Sequence, residues 1–360
     1  MFKFVLFIIV ILIASVSYID AINVLMFAYV PPQYVTETIE YWADTLMLDG
    51  FIIGNICEWY QKEDYYSLRT DELVQFSTVC RENGIQYNFL KIALGYKEFP
   101  AWHDTVAIKR QCNNIIRILD WAKKVGFYGI CFDTEPYTVP LWDKGSERFK
   151  YVDVSDIKRG FEIFSSKISE KLEREDLELL IIPEGNYFSL KKYGSKYQLW
   201  SDFISGFLEN ESIHTIIVGC EYTYKKIDYN SIKKYSKQLF EFQNDKIKYA
   251  YGAWPLGYYK AIKNPLSDKT IFLDSNLSQM NNSWLDKSPN YSSLHFQKQL
   301  DNFHDFSNEW IWIYSHGSAW WSLTDKKYKY IWKPENQFLL PNKEIKSYIN
   351  VLRNFKKENG

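Results

Sequence analysis

Two carboxylates lie one residue apart where an apolar stretch typical of a buried strand ends. Asp133 and Glu135 belong to the sequence GFYGICFDTEPY, residues 126–137. Residues two apart in a strand share a face, so both acids are expected to point the same way as Cys131. Two neighbouring acids in a semi-enclosed site repel each other, and one of them is expected to hold a proton near neutral pH. Such a pair is suited to general acid catalysis, whereas a helix N-cap or a salt bridge to a basic loop residue is the structural alternative.

Other apolar stretches also end in polar or aromatic residues. The polar candidates are Glu184 after LELLIIP, Glu221 after IHTIIVGC, His316 after WIWIYS and Asn55 after FIIG. Each of them alone has an ordinary structural explanation, but several at one rim favour a site. Trp254, Trp320 and Trp321 are candidate platforms for sugar rings, because tryptophan combines a flat apolar face with a polar edge.

Short apolar segments alternate with longer segments whose apolar residues recur at helical spacing. Alternation of this kind predicts parallel strands joined by right-handed crossovers. Eight strands are predicted to begin near Asn23, Phe51, Gln86, Tyr128, Leu179, Thr215, Lys248 and Ile311. Eight strand–helix units predict an α/β fold with one (β/α)₈ barrel over residues 22–360. A doubly wound open sheet is the alternative, although neither GxGxxG nor GxxxxGK[ST] occurs.

The lengths of the connections indicate which end of the barrel carries function. Connections from helix to strand are short and turn-like, whereas most connections from strand to helix are long and aromatic. The stretch 255–290 is interpreted as a loop insertion rather than a second domain. Active sites of (β/α)₈ barrels are built from the strand-to-helix loops, so the candidate residues are expected at that rim.

Composition narrows the class of partner. The chain has 43 Lys and Arg against 44 Asp and Glu, a net charge of −1, which argues against a nucleic-acid partner. Aromatic residues make up 18% of the chain, including 28 Tyr and 13 Trp, which suits carbohydrate. Five His without an HxH or HExxH pair argue against a His-rich metal site, and the predicted chemistry needs no metal or cofactor.

The first 21 residues are typical of a secretory signal. One Lys precedes an apolar run, and small and polar residues follow it, with cleavage expected after Ser17 or Ala21. The alternative is an uncleaved N-terminal anchor. The protein is therefore expected to be secreted or extracytoplasmic, without a membrane span after cleavage. The cysteine count is odd, and a Cys57–Cys80 or a Cys80–Cys112 bridge is open.

The segment from Tyr128 to Glu135 resembles a known signature. Glycoside hydrolases of family 18, the chitinases and endo-β-N-acetylglucosaminidases, carry a fourth strand of the form D-G-aliphatic-D-aliphatic-D-x-E. Here YGICFDTE retains the Gly, the last Asp and the Glu, while Tyr128 and Cys131 replace the first two Asp. The resemblance implies that Glu135 is the general acid and that Asp133 holds the substrate acetamido group, which attacks the anomeric carbon.

A second resemblance concerns retaining barrel glycosidases with Asn-Glu-Pro after strand four and a nucleophilic Glu after strand seven. Thr134-Glu135-Pro136 is similar to the first part, but the predicted seventh strand, YAYGAWPLGYY, contains no acid. A protein nucleophile or base would then come from Glu184 or Glu221. Both resemblances imply Glu135 as the acid.

The sequence thus predicts a secreted glycoside hydrolase that cleaves an oligo- or polysaccharide with Glu135 as proton donor and Asp133, Glu184 and Glu221 as further catalytic candidates. The substrate-binding candidates are Asn55, Trp254, His316, Trp320 and Trp321. The rival is a non-catalytic glycan-binding barrel or adhesin, since a barrel can lose activity through one substitution and keep its groove. A metal-dependent hydrolase ranks third.

Overall fold

The structure is a closed barrel of eight parallel strands, as the alternation of segments predicts. The computed structural model describes residues 22–28, 30–54, 56–57, 69–95, 99–135, 139–183, 198–220, 223–224, 228–240, 244–255, 262–263, 270–271, 292–306, 309–315, 318–319, 338–339 and 342–359. The barrel strands are β1 (Asn23–Ala28), β2 (Gly50–Ile53), β3 (Phe89–Ala93), β4 (Gly129–Asp133), β5 (Glu178–Ile182), β6 (Ile216–Cys220), β7 (Ile247–Ala253) and β8 (Trp310–Ser315). Each strand pairs with its neighbours in sequence, and β8 pairs with β1.

A helix follows every barrel strand within the described ranges. The helices are α1 (Pro32–Glu37), α2 (Thr70–Glu82), α3 (Thr105–Lys124), α4 (Val154–Glu175), α5 (Gln198–Leu208), α6 (Tyr229–Phe240), α7 (Ser293–His304) and α8 (Asn342–Asn359). A π-helical turn, Tyr41–Thr45, follows α1. Among the residues described, no helix combines the length and the apolar character needed to cross a bilayer.

Seven of the eight strands begin within one residue of the predicted position. The exception is β3, which begins at Phe89 rather than near Gln86. The amides of Gln86 and Tyr87 both donate to the Asp49 carbonyl, and the Asn88 side chain accepts the Phe51 amide at 3.1 Å. These residues therefore bond to β2 and to the residue before it, and the regular ladder between β2 and β3 starts after them at Phe89.

Side chains alternate between two separate cores. An outer core lies between the strands and the helices and contains Ile130 and Phe132 of β4. An inner core fills the barrel and contains Cys131 of β4. The period of two that the sequence predicted for this strand is therefore confirmed.

Aromatic residues close the amino-terminal end of the barrel. Tyr128 lies edge-on to Tyr87 at a centroid distance of 4.9 Å and to Phe89 at 5.5 Å. Tyr87 packs in the same way on Trp310 at 5.0 Å. A Cβ on Gly129 would lie 2.8 Å from the Phe89 ring and 2.3 Å from a backbone oxygen, so only glycine leaves room for this packing. Tyr128, the first departure from the family 18 pattern, therefore belongs to the packing of this end.

All five cysteines are free and buried, so neither of the two open disulfide pairings forms. Cys131 and Cys220 are small core residues, as expected. Burial raises the pKa of the Cys80 and Cys112 thiols to about 12. The thiols at these positions are therefore poor nucleophiles and resist oxidation.

The predicted insertion at 255–290 and the N-terminal segment 1–21 lie largely or wholly outside the described residues. Within the insertion, Ile262–Lys263 and Thr270–Ile271 form a short antiparallel pair. A second pair, Ser318–Ala319 with Phe338–Leu339, is parallel. The division of the chain into a signal segment and one barrel domain stays a prediction.

A buried lysine ties the last helix to the first two strands. Lys356 of α8 donates to the Ile22 carbonyl at 2.9 Å and to the Asp49 carboxylate at 2.8 Å. The same Asp49 oxygen accepts the Val24 amide at 2.6 Å. This network joins the start of β1, the turn before β2 and the C-terminal helix. It therefore stabilises the seam of the barrel, the place where its first and last elements meet.

Replacing Lys356 with methionine is expected to lower the free energy of unfolding by about 1–3 kcal/mol, because a carbonyl and a carboxylate lose a charged donor. Urea denaturation measures the change. The exposed neighbour Lys357 provides the control, since Lys357→Met removes an equal charge from the same helix turn. Equal stability of the two variants would show that the network does not stabilise the seam.

Candidate functional site

The segment that carries the two acids is anchored through the residue between them. Thr134 is fully buried, and both its amide and its hydroxyl donate to the Ile182 carbonyl at 3.0 Å. Two tryptophan indoles bond to it in turn: Trp142 donates to its carbonyl at 2.7 Å and Trp200 to its hydroxyl at 3.3 Å. The chain therefore leaves β4 in a defined direction, because neighbouring β5, the loop after β4 and α5 all hold Thr134.

Asp133 lies inside the barrel in an ion pair that the sequence analysis did not predict. Its Oδ2 accepts from Lys91 Nζ at 2.6 Å, and the two side chains are 3% and 6% exposed. Lys91 is the central residue of β3 and pairs in register with Cys131, while Ala93 pairs with Asp133. The lysine side chain thus extends towards the carboxyl end of the strands, from the level of Cys131 to that of Asp133. The salt-bridge alternative therefore describes Asp133, although the partner lies on a strand and not on a loop.

Glu135 is half-buried and is linked to Asp133 through its backbone. The Glu135 amide donates to Asp133 Oδ1 at 3.2 Å. The two oxygens of Asp133 thus contact different groups, Oδ2 the ammonium of Lys91 and Oδ1 the main chain of Glu135. The sequence argument rested on repulsion between two acids. In the structure the nearest charge to Asp133 is a cation, which reduces that repulsion.

Aromatic rings line the barrel beside the ion pair. Lys91 Nζ lies 5.6 Å from the centroid of the Phe27 ring. Phe27 packs on Trp312 at 5.6 Å and on Tyr314 at 5.1 Å. Tyr314 stacks on Tyr224 at 5.4 Å with an interplanar angle of 15°. We call Phe27, Tyr224, Trp254, Trp312 and Tyr314 the aromatic wall.

Two features of β7 and of the loop after β6 position this wall. A Cβ on Gly252 would lie 2.8 Å from both Trp312 and Tyr224, so glycine makes room for the two rings. Thr223 fixes the backbone next to Tyr224. Its hydroxyl donates to the Cys220 carbonyl at 2.6 Å and accepts from the Gly252 amide at 3.0 Å. Strands β6 and β7 therefore fix Tyr224 through its neighbour.

Trp254 follows the last residue of β7 and belongs to the aromatic wall. Its ring lies edge-on to Tyr314 at 5.1 Å and to Tyr224 at 5.8 Å, and the residue is 5% exposed. It is thus at the carboxyl end of the strand, as expected, and is packed between two tyrosines. Its role as a platform for sugar rings stays a prediction.

The other six candidates lie outside the described residues. They are Asn55, Glu184, Glu221, His316, Trp320 and Trp321. Of the candidates, the structure therefore brings Asp133 and Glu135 together and adds Trp254 to the inner core. Within the described ranges, no cluster of three His, Cys, Asp or Glu side chains is arranged to hold a metal ion.

Sequence reasoning missed Lys91, although a signal was present. IQYNFLKIAL is an apolar stretch interrupted by one charged residue, and Lys91 has the same parity as Phe89, which faces the barrel. A lysine at an inward position requires an anionic partner, because an unpaired buried ammonium is very unfavourable. That reasoning predicts an acidic partner for Lys91 inside the barrel, but the register between strands decides which acid it is.

Trp254→Ala is expected to lower the free energy of unfolding by about 3–5 kcal/mol, because it removes a large buried ring from between two tyrosines. It is also expected to weaken oligosaccharide binding by about 1 kcal/mol if a sugar stacks on this wall. Chemical denaturation and calorimetric titration measure the two effects.

A second buried tryptophan serves as the control. Trp121 is 6% exposed on α3 in the outer core and donates to Thr70 at 3.0 Å. Trp121→Ala is expected to cost stability without a change in the affinity of the folded protein. If Trp254→Ala behaves in the same way, Trp254 is a packing residue and not a sugar platform.

Comparisons with known proteins show the fold of the chain. No family model and no curated protein matches its sequence. A chitinase from Bacteroides thetaiotaomicron is similar in structure, with a TM-score of 0.52 and 12% identity over 94% of this chain and 98% of that one. A class V chitinase mutant from Cycas revoluta in complex with (GlcNAc)3 has a TM-score of 0.49, with 12% identity over 94% and 99%. D-psicose 3-epimerase from Clostridium cellulolyticum has 0.47, with 10% identity over 94% and 99%. At these identities the similarity shows a (β/α)₈ barrel, and the site must be argued from its own residues.

Proposed function

We propose that the protein is a glycoside hydrolase that cleaves an oligo- or polysaccharide, with Glu135 as the proton donor. The observation that carries the proposal is the arrangement at the end of β4. A buried carboxylate, Asp133, accepts the backbone amide of a half-exposed acid, Glu135, at the rim where (β/α)₈ barrels build active sites.

The proposed chemistry is acid-assisted cleavage through an oxocarbenium-like transition state. As the bond between the anomeric carbon and the leaving oxygen breaks, Glu135 transfers its proton to that oxygen. Water then supplies the hydroxyl at the anomeric carbon and returns a proton to the site. The resemblance to family 18 implies an acetamido group of the substrate as the nucleophile, and Glu184 and Glu221 are the candidates for a protein nucleophile or base.

The aromatic wall supports a carbohydrate substrate. Five aromatic residues pack against one another inside the barrel, three of them on β1 and β8 and two just after β6 and β7. Aromatic faces bind the apolar faces of sugar rings, and the hydroxyl groups of Tyr224 and Tyr314 add polar atoms. The similarity to chitinases is limited to the fold and adds no substrate by itself.

We further propose that the protein acts outside the cytoplasm. The support is the pattern of residues 1–21, which has one Lys, an apolar run and a polar end. The buried state of all five thiols is compatible with an oxidising environment, because a thiol with a raised pKa seldom forms the reactive thiolate.

A non-catalytic glycan-binding barrel is the second candidate, and one observation favours it. Cys131 is an apolar core residue where the family 18 pattern has an acid, and Asp133 already has a cationic partner in Lys91. β4 thus has fewer acids than the family 18 pattern, and Lys91 balances the charge of Asp133. Such a barrel would bind sugars on its aromatic wall without turnover.

Glu135→Gln is expected to reduce hydrolysis by about 10²–10⁴-fold, because the amide keeps the shape of the side chain but has no acidic proton to donate. Folding and glycan binding are expected to stay intact. Hydrolysis of a panel of β-linked and α-linked oligosaccharides, including chito-oligosaccharides, measures the loss.

Glu162→Gln is the matched control, since Glu162 is exposed on α4, away from the strand ends. Equal activity of Glu135→Gln and the wild type would show that Glu135 is not the acid and would make Glu184 and Glu221 the next candidates. Binding of a glycan by the wild type without any hydrolysis would support the non-catalytic barrel.

A further inference from the structure

The Lys91–Asp133 pair is the one ion pair that the described residues place inside the upper half of the barrel. Its two atoms are 2.6 Å apart, and both side chains are more than nine-tenths buried. Other buried or half-buried lysine pairs lie elsewhere: Lys171 contacts Asp120 and Glu175 between α3 and α4, and Lys356 contacts Asp49 at the seam. The position of the Lys91–Asp133 pair therefore calls for an account beyond packing.

Within the described residues, the inner core of the barrel around the pair is made of apolar and aromatic side chains. The inward residues near it are Phe27 on β1, Ile52 on β2, Leu180 and Ile182 on β5, Ile217 on β6, and Trp312 and Tyr314 on β8. Tyr224 and Trp254 complete the enclosure. The remaining charged groups that the strands direct towards the barrel are Lys248 and Glu178, which lie at the amino-terminal end. Glu135, two residues along the chain, contacts Asp133 through its backbone amide.

We propose that Lys91 is a positioning residue of the site, which orients Asp133 so that Asp133 in turn holds the main chain of Glu135. The inference rests on the proposed role of Glu135 and adds a residue to which no role was assigned. The sequence of contacts is short: the Lys91 ammonium to Oδ2, and Oδ1 to the Glu135 amide. On β4 the position of Cys131 carries no acid that could contact Asp133. Lys91 from the neighbouring strand β3 makes that contact instead.

The physical reason is the low polarity of the enclosure. The Lys91 ammonium is the cation that the described residues place against Asp133, so its removal is expected to turn the carboxylate away from its present position. That change weakens the bond from the Glu135 amide to Asp133. Glu135 would then lose its fixed place above the barrel.

Amide hydrogen exchange at Glu135 tests the proposal without any need for a substrate. Lys91→Met is expected to speed exchange of the Glu135 amide by at least about tenfold, as loss of a hydrogen bond to a charged acceptor predicts. Lys91→Arg retains the charge and is expected to restore most of the protection. In Lys91→Met/Asp133→Asn the neutral amide oxygen can accept the same N–H without a buried charge, so protection is expected to exceed that of Lys91→Met alone.

Lys171→Met separates this effect from general destabilisation. Lys171 is 4% exposed and pairs with two carboxylates between α3 and α4, far from the strand ends in sequence and in the fold. Its loss is expected to speed exchange throughout the barrel in proportion to the lost stability, and not selectively at Glu135.

Kinetics complete the test wherever the wild type hydrolyses a glycan. Lys91→Met is then expected to lower kcat by at least about tenfold with little change in KM, because it displaces the acid and leaves the aromatic wall in place. Lys91→Arg is expected to recover most of kcat. Unchanged Glu135 exchange together with unchanged kcat would overturn the proposal. Absence of hydrolysis in the wild type would overturn the proposed function alone, since selective loss of Glu135 protection in Lys91→Met would still support the positioning role.

Discussion

Burial of charge inside a closed barrel is the constraint on which the candidate site depends. A carboxylate on an inward position of β4 has no access to bulk water, and its charge needs a partner at hydrogen-bonding distance. Lys91, 2.6 Å from Asp133, supplies that partner from the adjacent strand. Because both residues are held by the ladder between β3 and β4, the geometry of the pair is part of the barrel itself. Removal of one member takes away the opposite charge that the other contacts at 2.6 Å, so the two residues are interdependent.

The ion pair connects the strand scaffold to the residue at the rim. Asp133 contacts Lys91 with one oxygen and the Glu135 amide with the other, and Thr134 between the acids is fixed by Ile182, Trp142 and Trp200. The scaffold thus determines the path of the chain at the point where it leaves the barrel. A proton donor is effective only when it lies within hydrogen-bonding distance of the leaving atom. A rigid chain at this point would keep Glu135 in such a position.

The two departures from the family 18 pattern have different structural meanings. Tyr128 packs on Tyr87 and Phe89 at the amino-terminal end, where it contributes to closing the barrel. Cys131 lies in the inner core beside Lys91, one layer below Asp133. Only the second departure therefore touches the site. The inward lysine on β3 balances the charge of the one acid that lies inside β4, Asp133.

The barrel, the alternation of residues between two faces of β4 and the location of the two acids at its end can be predicted from the sequence. Those features follow from local patterns, since alternation of strand and helix segments dictates parallel pairing and the period of two assigns residues to faces. The contacts between groups on different strands depend on the tertiary structure. Lys91 and Asp133 are 42 residues apart, and their contact depends on the register between β3 and β4. The burial of Trp254 between Tyr224 and Tyr314 likewise depends on three separate segments, because ring packing is set by closure of the barrel and not by the residues next to it in the chain.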